Sequence, residues 1–165
     1  MPSLVVPLAV VALCLAPTVA AEAKTFHGTN RPNHVKGTPG NDKFKAKGGN
    51  DVFKGMAGND KAWGGNGDDT LQGGPGADRL YGENDNDRLD GGGGNDPILD
   101  GGPGNDTING NAGDDIVTGG DGVDTINSGS GNDVVDAGPG DDLKIMLGAG
   151  NDLGHGGDGN DGDAS

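Results

Sequence analysis

The sequence predicts an all-β protein, a parallel β-solenoid of about fourteen nine-residue repeats. Three observations lead to this fold class. The pattern recurs every nine residues from Gly37 to Ala164, Asp occupies position six of all fourteen copies, and position eight is apolar from Phe44 through Val135. A short unit with one inward side chain cannot bury a core alone, so such a period predicts stacked copies of the unit.

The composition taken without the period would predict a disordered chain. Of 165 residues, 37 are Gly and 9 are Pro, only 3% are aromatic, and the formal net charge is −15. Such a chain normally buries too little apolar surface to fold. A flexible linker, however, would not keep an apolar residue two places after each repeat aspartate. The repeat is therefore the feature from which the fold is predicted.

Residues 1–23 are predicted to be a secretory signal peptide. The apolar run 4–21 is rich in Val, Leu and Ala and closes on the small residues Ala20, Ala21 and Ala23. A retained membrane anchor is the alternative, but Pro7 and Pro17 interrupt the run. Cleavage would leave no transmembrane segment and would remove the single cysteine. We therefore expect a secreted, extracellular protein without disulfides.

Residues 24–36 are predicted to form a short basic N-terminal segment, and the charge of the chain is polarised beyond it. Residues 24–61 carry eight Lys or Arg against three Asp, whereas residues 62–165 carry three against 22 acids. One interpretation is a basic end that docks on an anionic cell-surface or wall polymer. The other is a charged cap that stops solenoids from stacking edge to edge. The acidic body argues against a nucleic-acid partner.

Residues 37–164 are predicted to form the repeat domain, in which each copy is a Gly-rich turn followed by a three-residue strand with its middle side chain inward. The copies 64–72, 73–81 and 101–109 are the clearest. Two single-residue insertions are required, and we place them near Leu99-Asp100 and Ile145-Met146. Position eight fails after Val135, so we expect the roll to fray after about residue 144.

The turns have the chemistry that calcium requires. Calcium takes six to eight oxygen ligands, and each turn supplies one carboxylate and several main-chain carbonyls that glycine leaves unobstructed. His27, His34 and His155 are dispersed, and no Cys or His cluster favours zinc or copper. The sequence therefore predicts calcium ions as the ligand of the repeats.

With its G-G-x-G-x-D-x-apolar-x copies, the chain resembles the RTX (repeats-in-toxin, haemolysin-type) calcium-binding nonapeptide repeat proteins. The resemblance implies a β-roll folded with bound calcium, in which two repeats make one coil and ions lie between turns eighteen residues apart. It implies two columns of metal-binding aspartates. One column comprises Asp42, Asp60, Asp78, Asp96, Asp115, Asp133 and Asp152. The other comprises Asp51, Asp69, Asp87, Asp106, Asp124, Asp142 and Asp161.

The function predicted from these observations is that of a secreted calcium-binding repeat protein that folds as it binds several Ca²⁺ ions. No catalytic residue is assigned, because neither HExxH nor GxSxG occurs and the paired carboxylates, such as Asp68-Asp69, belong to the repeat. The alternative function is a calcium-rigidified adhesive module, a spacer in a cell-surface matrix. Multimers that form in calcium would favour the alternative.

Overall fold

The computed structural model describes residues 22–161, and over that range the chain is a parallel β-roll of fifteen short strands without a helix. This confirms the predicted fold class. Most of the predicted leader lies outside the described residues, as do residues 162–164 of the predicted repeat domain. The strands are β1 Thr25–His27, β2 His34–Lys36, β3 Lys43–Lys45, β4 Val52–Lys54, β5 Lys61–Asn66, β6 Thr70–Pro75, β7 Arg79–Asn84, β8 Arg88–Gly93, β9 Ile98–Asp100, β10 Thr107–Ala112, β11 Ile116–Thr118, β12 Thr125–Ser130, β13 Val134–Asp136, β14 Lys144–Met146 and β15 Leu153–His155.

Successive strands alternate between two parallel sheets. The odd-numbered strands form an eight-stranded sheet in the order β1-β3-β5-β7-β9-β11-β13-β15, and the even-numbered strands form a seven-stranded sheet from β2 to β14. Strand pairing joins residues eighteen positions apart, as in Phe44↔Ala62 and Phe53↔Leu71. One coil therefore contains two repeats, and equivalent residues of successive coils lie directly above one another.

The core is a narrow column that takes one side chain from each strand. The predicted inward residues from Phe44 to Val135 are all buried, each at most 2% exposed. Phe44 and Phe53 stack across the two sheets with ring centroids 5.4 Å apart. Since side chains alternate across a strand, the flanking residues face outward. Each repeat from Phe44 to Val135 thus contributes its position-eight side chain to the core and the residues on either side of it to the surface.

The two inserted residues lie two to three positions earlier than the sequence analysis placed them. Arg79 pairs with Ile98 and Thr125 pairs with Lys144, so the extra residues are Pro97 and Leu143, each directly before a strand. The prediction that position eight fails after Val135 was consequently wrong for the next repeat. With the correct register Ile145 occupies this position, and it is 1% exposed.

The roll begins before the first clear repeat. Residues 24–36, predicted as a separate basic segment, contain β1 and β2, which pair with β3 and β4. Phe26 and Val35 lie above Phe44 and Phe53 and pack against the core. The segment lacks the glycine and aspartate pattern of the turns, which is why the sequence did not reveal it as part of the roll.

Close stacking of the turns explains why two positions of the repeat prefer glycine. Gly92 has φ +106°, and a Cβ there would lie 2.8 Å from the carbonyl carbon of Gly74 in the preceding coil. Asp85, the one exception at position four, also adopts a positive φ of 74°. Its carboxylate accepts a hydrogen bond from the amide of Gly67 at 2.9 Å, which offsets part of the backbone strain.

Candidate calcium-binding columns

The structure brings the fourteen predicted aspartates into two columns, one along each side of the roll. Thirteen of the fourteen directly precede a strand, or precede the inserted residue that leads into it, and Asp161 follows the last strand, β15. The glycine turn directs the aspartate side chain inward between coils, whereas the next residue faces the solvent. Twelve of the fourteen are at most 3% exposed, and Asp152 and Asp161 at the C-terminal end are partly exposed.

Main-chain hydrogen bonds join the aspartates of each column. The amide of Asp60 donates to Oδ1 of Asp78 at 2.6 Å, and the amide of Asp69 donates to Oδ1 of Asp87 at 2.7 Å. The same bond recurs through both columns, and it persists across the insertion between Asp96 and Asp115. One oxygen of each carboxylate is therefore used to fix the spacing of the coils.

The second carboxylate oxygen has no partner along most of both columns. Oδ2 is buried and accepts no hydrogen bond in eleven aspartates: Asp51, Asp60, Asp69, Asp78, Asp87, Asp96, Asp106, Asp115, Asp124, Asp133 and Asp142. Asp42 differs because Thr38 donates to it from both its amide and its hydroxyl. A buried oxygen without a partner is costly and rare in native proteins. Eleven such oxygens at equivalent positions would suit a positively charged ligand held between the coils.

Main-chain carbonyls lie next to these oxygens. A Cβ built on Gly64, at position one of its repeat, would overlap Oδ2 of Asp69 and lie 2.6 Å from the carbonyl oxygen of Gly82 in the next coil. The same arrangement recurs at Gly73, with Asp78 and the carbonyl of Gly91. Each turn with glycine at position one therefore places a carboxylate oxygen, a carbonyl oxygen and an unobstructed glycine together. Hard oxygen donors of this kind suit calcium.

Burial and the neighbouring carboxylates make the ionised columns unfavourable. Burial raises the pKa of Asp87 to about 8, and the charges of Asp69 and Asp106 add to the effect, although the amide of Asp69 lowers the pKa. Burial likewise raises the pKa of Asp60 and Asp106 to about 6. The pKa is raised to about 7 at Asp69, Asp78, Asp96, Asp115 and Asp124. When bound, calcium would supply the positive charge that these carboxylates lack.

The donor set does not suit a transition metal. Within residues 22–161, no group of three His, Cys, Asp or Glu side chains converges as a ligand cluster. A cation in the columns would therefore take most of its ligands from the main chain, which calcium accepts more readily than magnesium or zinc. His27, His34 and His155 are exposed on three different strands, so they do not form a ligand cluster.

A second ladder, not predicted from the sequence, is formed by the Asn and Asp residues that precede most of the repeat aspartates. The amide of Asn59 donates to Oδ1 of Asn41 at 2.9 Å, and the amide of Ala77 donates to Oδ1 of Asn59 at 3.0 Å. This ladder points opposite to the aspartate ladder, since the acceptor here belongs to the earlier coil. The recurrence of Asn or Asp at position five was the available signal, because these side chains readily accept main-chain hydrogen bonds in turns.

The described residues contain no helix long and apolar enough to cross a membrane. No curated protein sequence matches the chain. A family model does match, that of the RTX calcium-binding nonapeptide repeat, over residues 27–62, 63–96, 98–126, 114–143 and 144–162. The matched segments span almost all of the described roll, and this repeat is a structural calcium-binding fold and not an enzyme family. The chain therefore belongs to the family of RTX calcium-binding nonapeptide repeat proteins.

Proposed function

We propose that this calcium-binding repeat protein is exported and is unfolded without metal, and that its roll folds outside the cell as several calcium ions bind in the Gly/Asp-rich turns. The observation that carries the proposal is the set of eleven buried, unpartnered Oδ2 atoms in the two aspartate columns. The fourteen column aspartates are the proposed ligands, together with carbonyls of the facing turns. The protein has no catalytic function in this proposal.

Few interactions stabilise the metal-free roll. Its core takes one side chain per strand, one of them only Ala62, so the apolar area is small for the number of ordered residues. Ionised carboxylates are also stacked about 4.8 Å apart, which is the strand spacing. Burying these charges without a counter-ion opposes folding. Metal binding would then contribute directly to the free energy of folding.

The number of ions is limited by the number of gaps between coils. Seven aspartates in each column leave six gaps on each side, so twelve ions is the upper bound. We propose fewer, because Asp152 and Asp161 are partly exposed and Asp42 is already bonded to Thr38. Affinities of about 10⁻⁴–10⁻³ M, typical of extracellular modules, would keep the chain unfolded inside the cell and folded after export.

A far-UV circular dichroism titration of the full chain with CaCl₂, with MgCl₂ as control, tests this proposal. We expect a transition from coil to β-structure with calcium alone. Asp87→Asn should raise the calcium midpoint, whereas Asp136→Asn, the same change at a side chain that is 62% exposed, should leave it unchanged. An equal response to magnesium, or a cooperative thermal transition in the metal-free chain, would contradict calcium-driven folding.

A rigid adhesive or matrix spacer is the second candidate function, and an exposed aliphatic row favours it. Ile116, Val134 and Leu153 follow one another on the outer face of the eight-stranded sheet and are 49%, 44% and 67% exposed. Sedimentation in calcium at rising protein concentration tests this function. A monomer at all concentrations, with no binding to cell walls, would leave only the solitary calcium-binding role.

A further inference from the structure

The N-terminal coils carry a groove on the outer side of the eight-stranded sheet, where the turns meet β1, β3, β5 and β7. The groove has a volume of about 490 Å³. Four cationic side chains line it, those of Lys24, Lys43, Lys61 and Arg79, and the amides of Asn41 and Asn59 complete its polar wall. The lining also includes Asp42, whose carboxylate is buried and bonded to Thr38 and Lys24. We call this feature the cationic groove.

Strand pairing places like charges directly opposite one another in the cationic groove. Lys43 pairs with Lys61, and Lys61 pairs with Arg79, so three cations occupy consecutive rungs at the strand spacing of about 4.8 Å. Like charges directly opposite destabilise a sheet. Within residues 22–161 the one ion pair is that between His155 and Asp136, so no carboxylate lies within ion-pairing distance of this row. An anionic ligand bound along this row of three cations would relieve the repulsion between them.

Trp63, beside the row, contacts Lys43 of the row and the neighbouring Lys45. Nζ of Lys45 lies 4.8 Å from the ring centroid of Trp63, and Nζ of Lys43 lies 5.4 Å from it. Trp63 also stacks on Tyr81, with ring centroids 5.3 Å apart. Both faces of the Trp63 ring are therefore occupied, one by Tyr81 and the other by lysine. They are not free to stack on nucleobases, as proteins that bind single-stranded nucleic acid require.

We propose that the cationic groove binds an acidic polysaccharide that carries one carboxylate per sugar unit. Charges repeated along such a polymer match cations repeated at each coil, and Arg79 provides a guanidinium suited to a carboxylate. Asn41 and Asn59 each use Oδ1 to accept a main-chain amide, which leaves their NH₂ groups to donate to sugar hydroxyls. This proposal goes beyond calcium binding, because none of the four cations belongs to a calcium column.

Binding of a short oligogalacturonate, six units long, to the full chain in saturating calcium tests the proposal. Trp63 is the single tryptophan of the protein and lies beneath the ammonium group of Lys43, which lines the groove, so its fluorescence reports occupancy. We expect a saturable fluorescence change and a calorimetric affinity that weakens as salt is raised. Lys61→Gln combined with Arg79→Gln should weaken binding by about tenfold or more.

The matched control is Lys36→Gln combined with Lys54→Gln, which removes two paired cations from the outer face of the other sheet. This variant should bind like the unmodified chain. Circular dichroism in calcium verifies that both variants fold, so a failure of calcium-driven folding is distinguished from a failure of the groove. Unchanged affinity in the Lys61/Arg79 variant would overturn the proposal, since binding would then occur through calcium bridges to the acidic body.

Competing polymers define the remaining outcomes. A neutral hexasaccharide should not bind, and oligo-dT and anionic lipid vesicles of equal charge should bind more weakly than the uronate oligomer. Tighter binding of oligo-dT would assign the groove to nucleic acid, and tighter binding of vesicles would assign it to a membrane surface. Either result would overturn the polysaccharide assignment.

Discussion

The central coils and the last coil are built from the same nine-residue unit but differ in how they are held together. In the central coils, Leu80, Leu89 and Ile108 are fully buried and the column aspartates are almost inaccessible. In the last coil, all three residues of β15 are exposed, and Gly154 occupies the core position. The hydrogen bond from the amide of Asp142 to Asp161 also lengthens to 3.4 Å.

The difference shows that the path of the chain and the cohesion of the roll have separate origins. The amide of Asp133 still donates to Asp152 at 2.9 Å, so the aspartate ladder continues where the core position is lost. Glycine turns and main-chain bonds define the path of the coil. Buried aliphatic side chains, and the cations proposed for the columns, supply the cohesion. Removal of the aliphatic side chains or of the proposed cations should therefore destabilise the central coils more than the last coil.

The largest expected effect is that of pH on the metal-free chain. In the central columns the folded-state pKa values are about 6 to 8, compared with 3.8 for an ordinary aspartate. Raised values mean that the folded state binds more protons, so this stabilisation is complete below about pH 4 and is lost as the pH rises through 6 to 8. The metal-free chain should gain β-structure between pH 8 and pH 5.5, as measured by circular dichroism.

Calcium must be removed by resin in this experiment, because chelators weaken in acid. Dilute protein, with sedimentation as a check, separates folding from aggregation near the isoelectric point of about 4.2. With calcium present, protons compete for the same carboxylates, so the calcium midpoint should rise as the pH falls through this window. A metal-free spectrum that does not change between pH 8 and 5.5 would show that the column charges do not control folding.

The second effect is the loss of unfolding free energy when a leucine is truncated in each of the two regions. Leu89→Ala removes a fully buried side chain and should lower the free energy of unfolding in calcium by about 2–5 kcal/mol. Leu153→Ala removes a side chain that is 67% exposed and should change it by less than about 0.5 kcal/mol. Denaturant titrations at fixed calcium measure both. Equal effects would mean that the last coil is as cohesive as the centre.

The third effect separates two adjacent glycines of a central turn. Gly92→Ala should destabilise the roll by about 1–3 kcal/mol, because φ is +106° and the new Cβ would meet the backbone of Gly74. Gly93→Ala is the matched control, since no atom lies within 4 Å of its Cβ position. Gly93→Ala should leave the free energy of unfolding unchanged or raise it by about 0.4–1 kcal/mol. Thermal unfolding at fixed calcium measures the stability of both variants. Equal stability changes would contradict this account.

The fold was predictable because its main signals are local and periodic. Position six and position eight recur in register, so the two sheets, the core from Phe44 to Val135 and both aspartate columns followed from the spacing and the family resemblance. The insertions were misplaced because the nine-residue spacing is restored equally well when any of several neighbouring residues is taken as the extra one. Pairing across coils, as in Thr125↔Lys144, is needed to identify Leu143 as the extra residue.

Features that depend on contacts between coils were not accessible from the sequence. The unpartnered Oδ2 atoms appear only once Oδ1 is seen to accept an amide from the preceding coil. The basic character of residues 24–61 was visible, but the row of Lys43, Lys61 and Arg79 requires the strand register. The burial of Leu147 beside Gly154 likewise depends on a contact that no repeat position encodes.

The smallest effect concerns the predicted fraying after residue 144. Main-chain amides of β14 and β15 should exchange with solvent faster than those of β6, β8 and β10, because the end has few buried contacts. Hydrogen exchange in saturating calcium measures this difference. Leu147 now fills the space of the missing side chain at Gly154, with its methyl carbons 2.9 Å from the Cβ position. Leu147→Ala alone should therefore speed exchange in β15.

Combining Gly154→Val with Leu147→Ala should slow that exchange. The new valine would occupy the core position above Val135, and the alanine would give it room. No positive φ opposes a side chain at residue 154. If the double variant exchanges as fast as Leu147→Ala, fraying follows from the position of β15 at the edge of its sheet, and not from the missing core residue. Protection of β15 would instead show that one apolar side chain per strand decides where the roll ends.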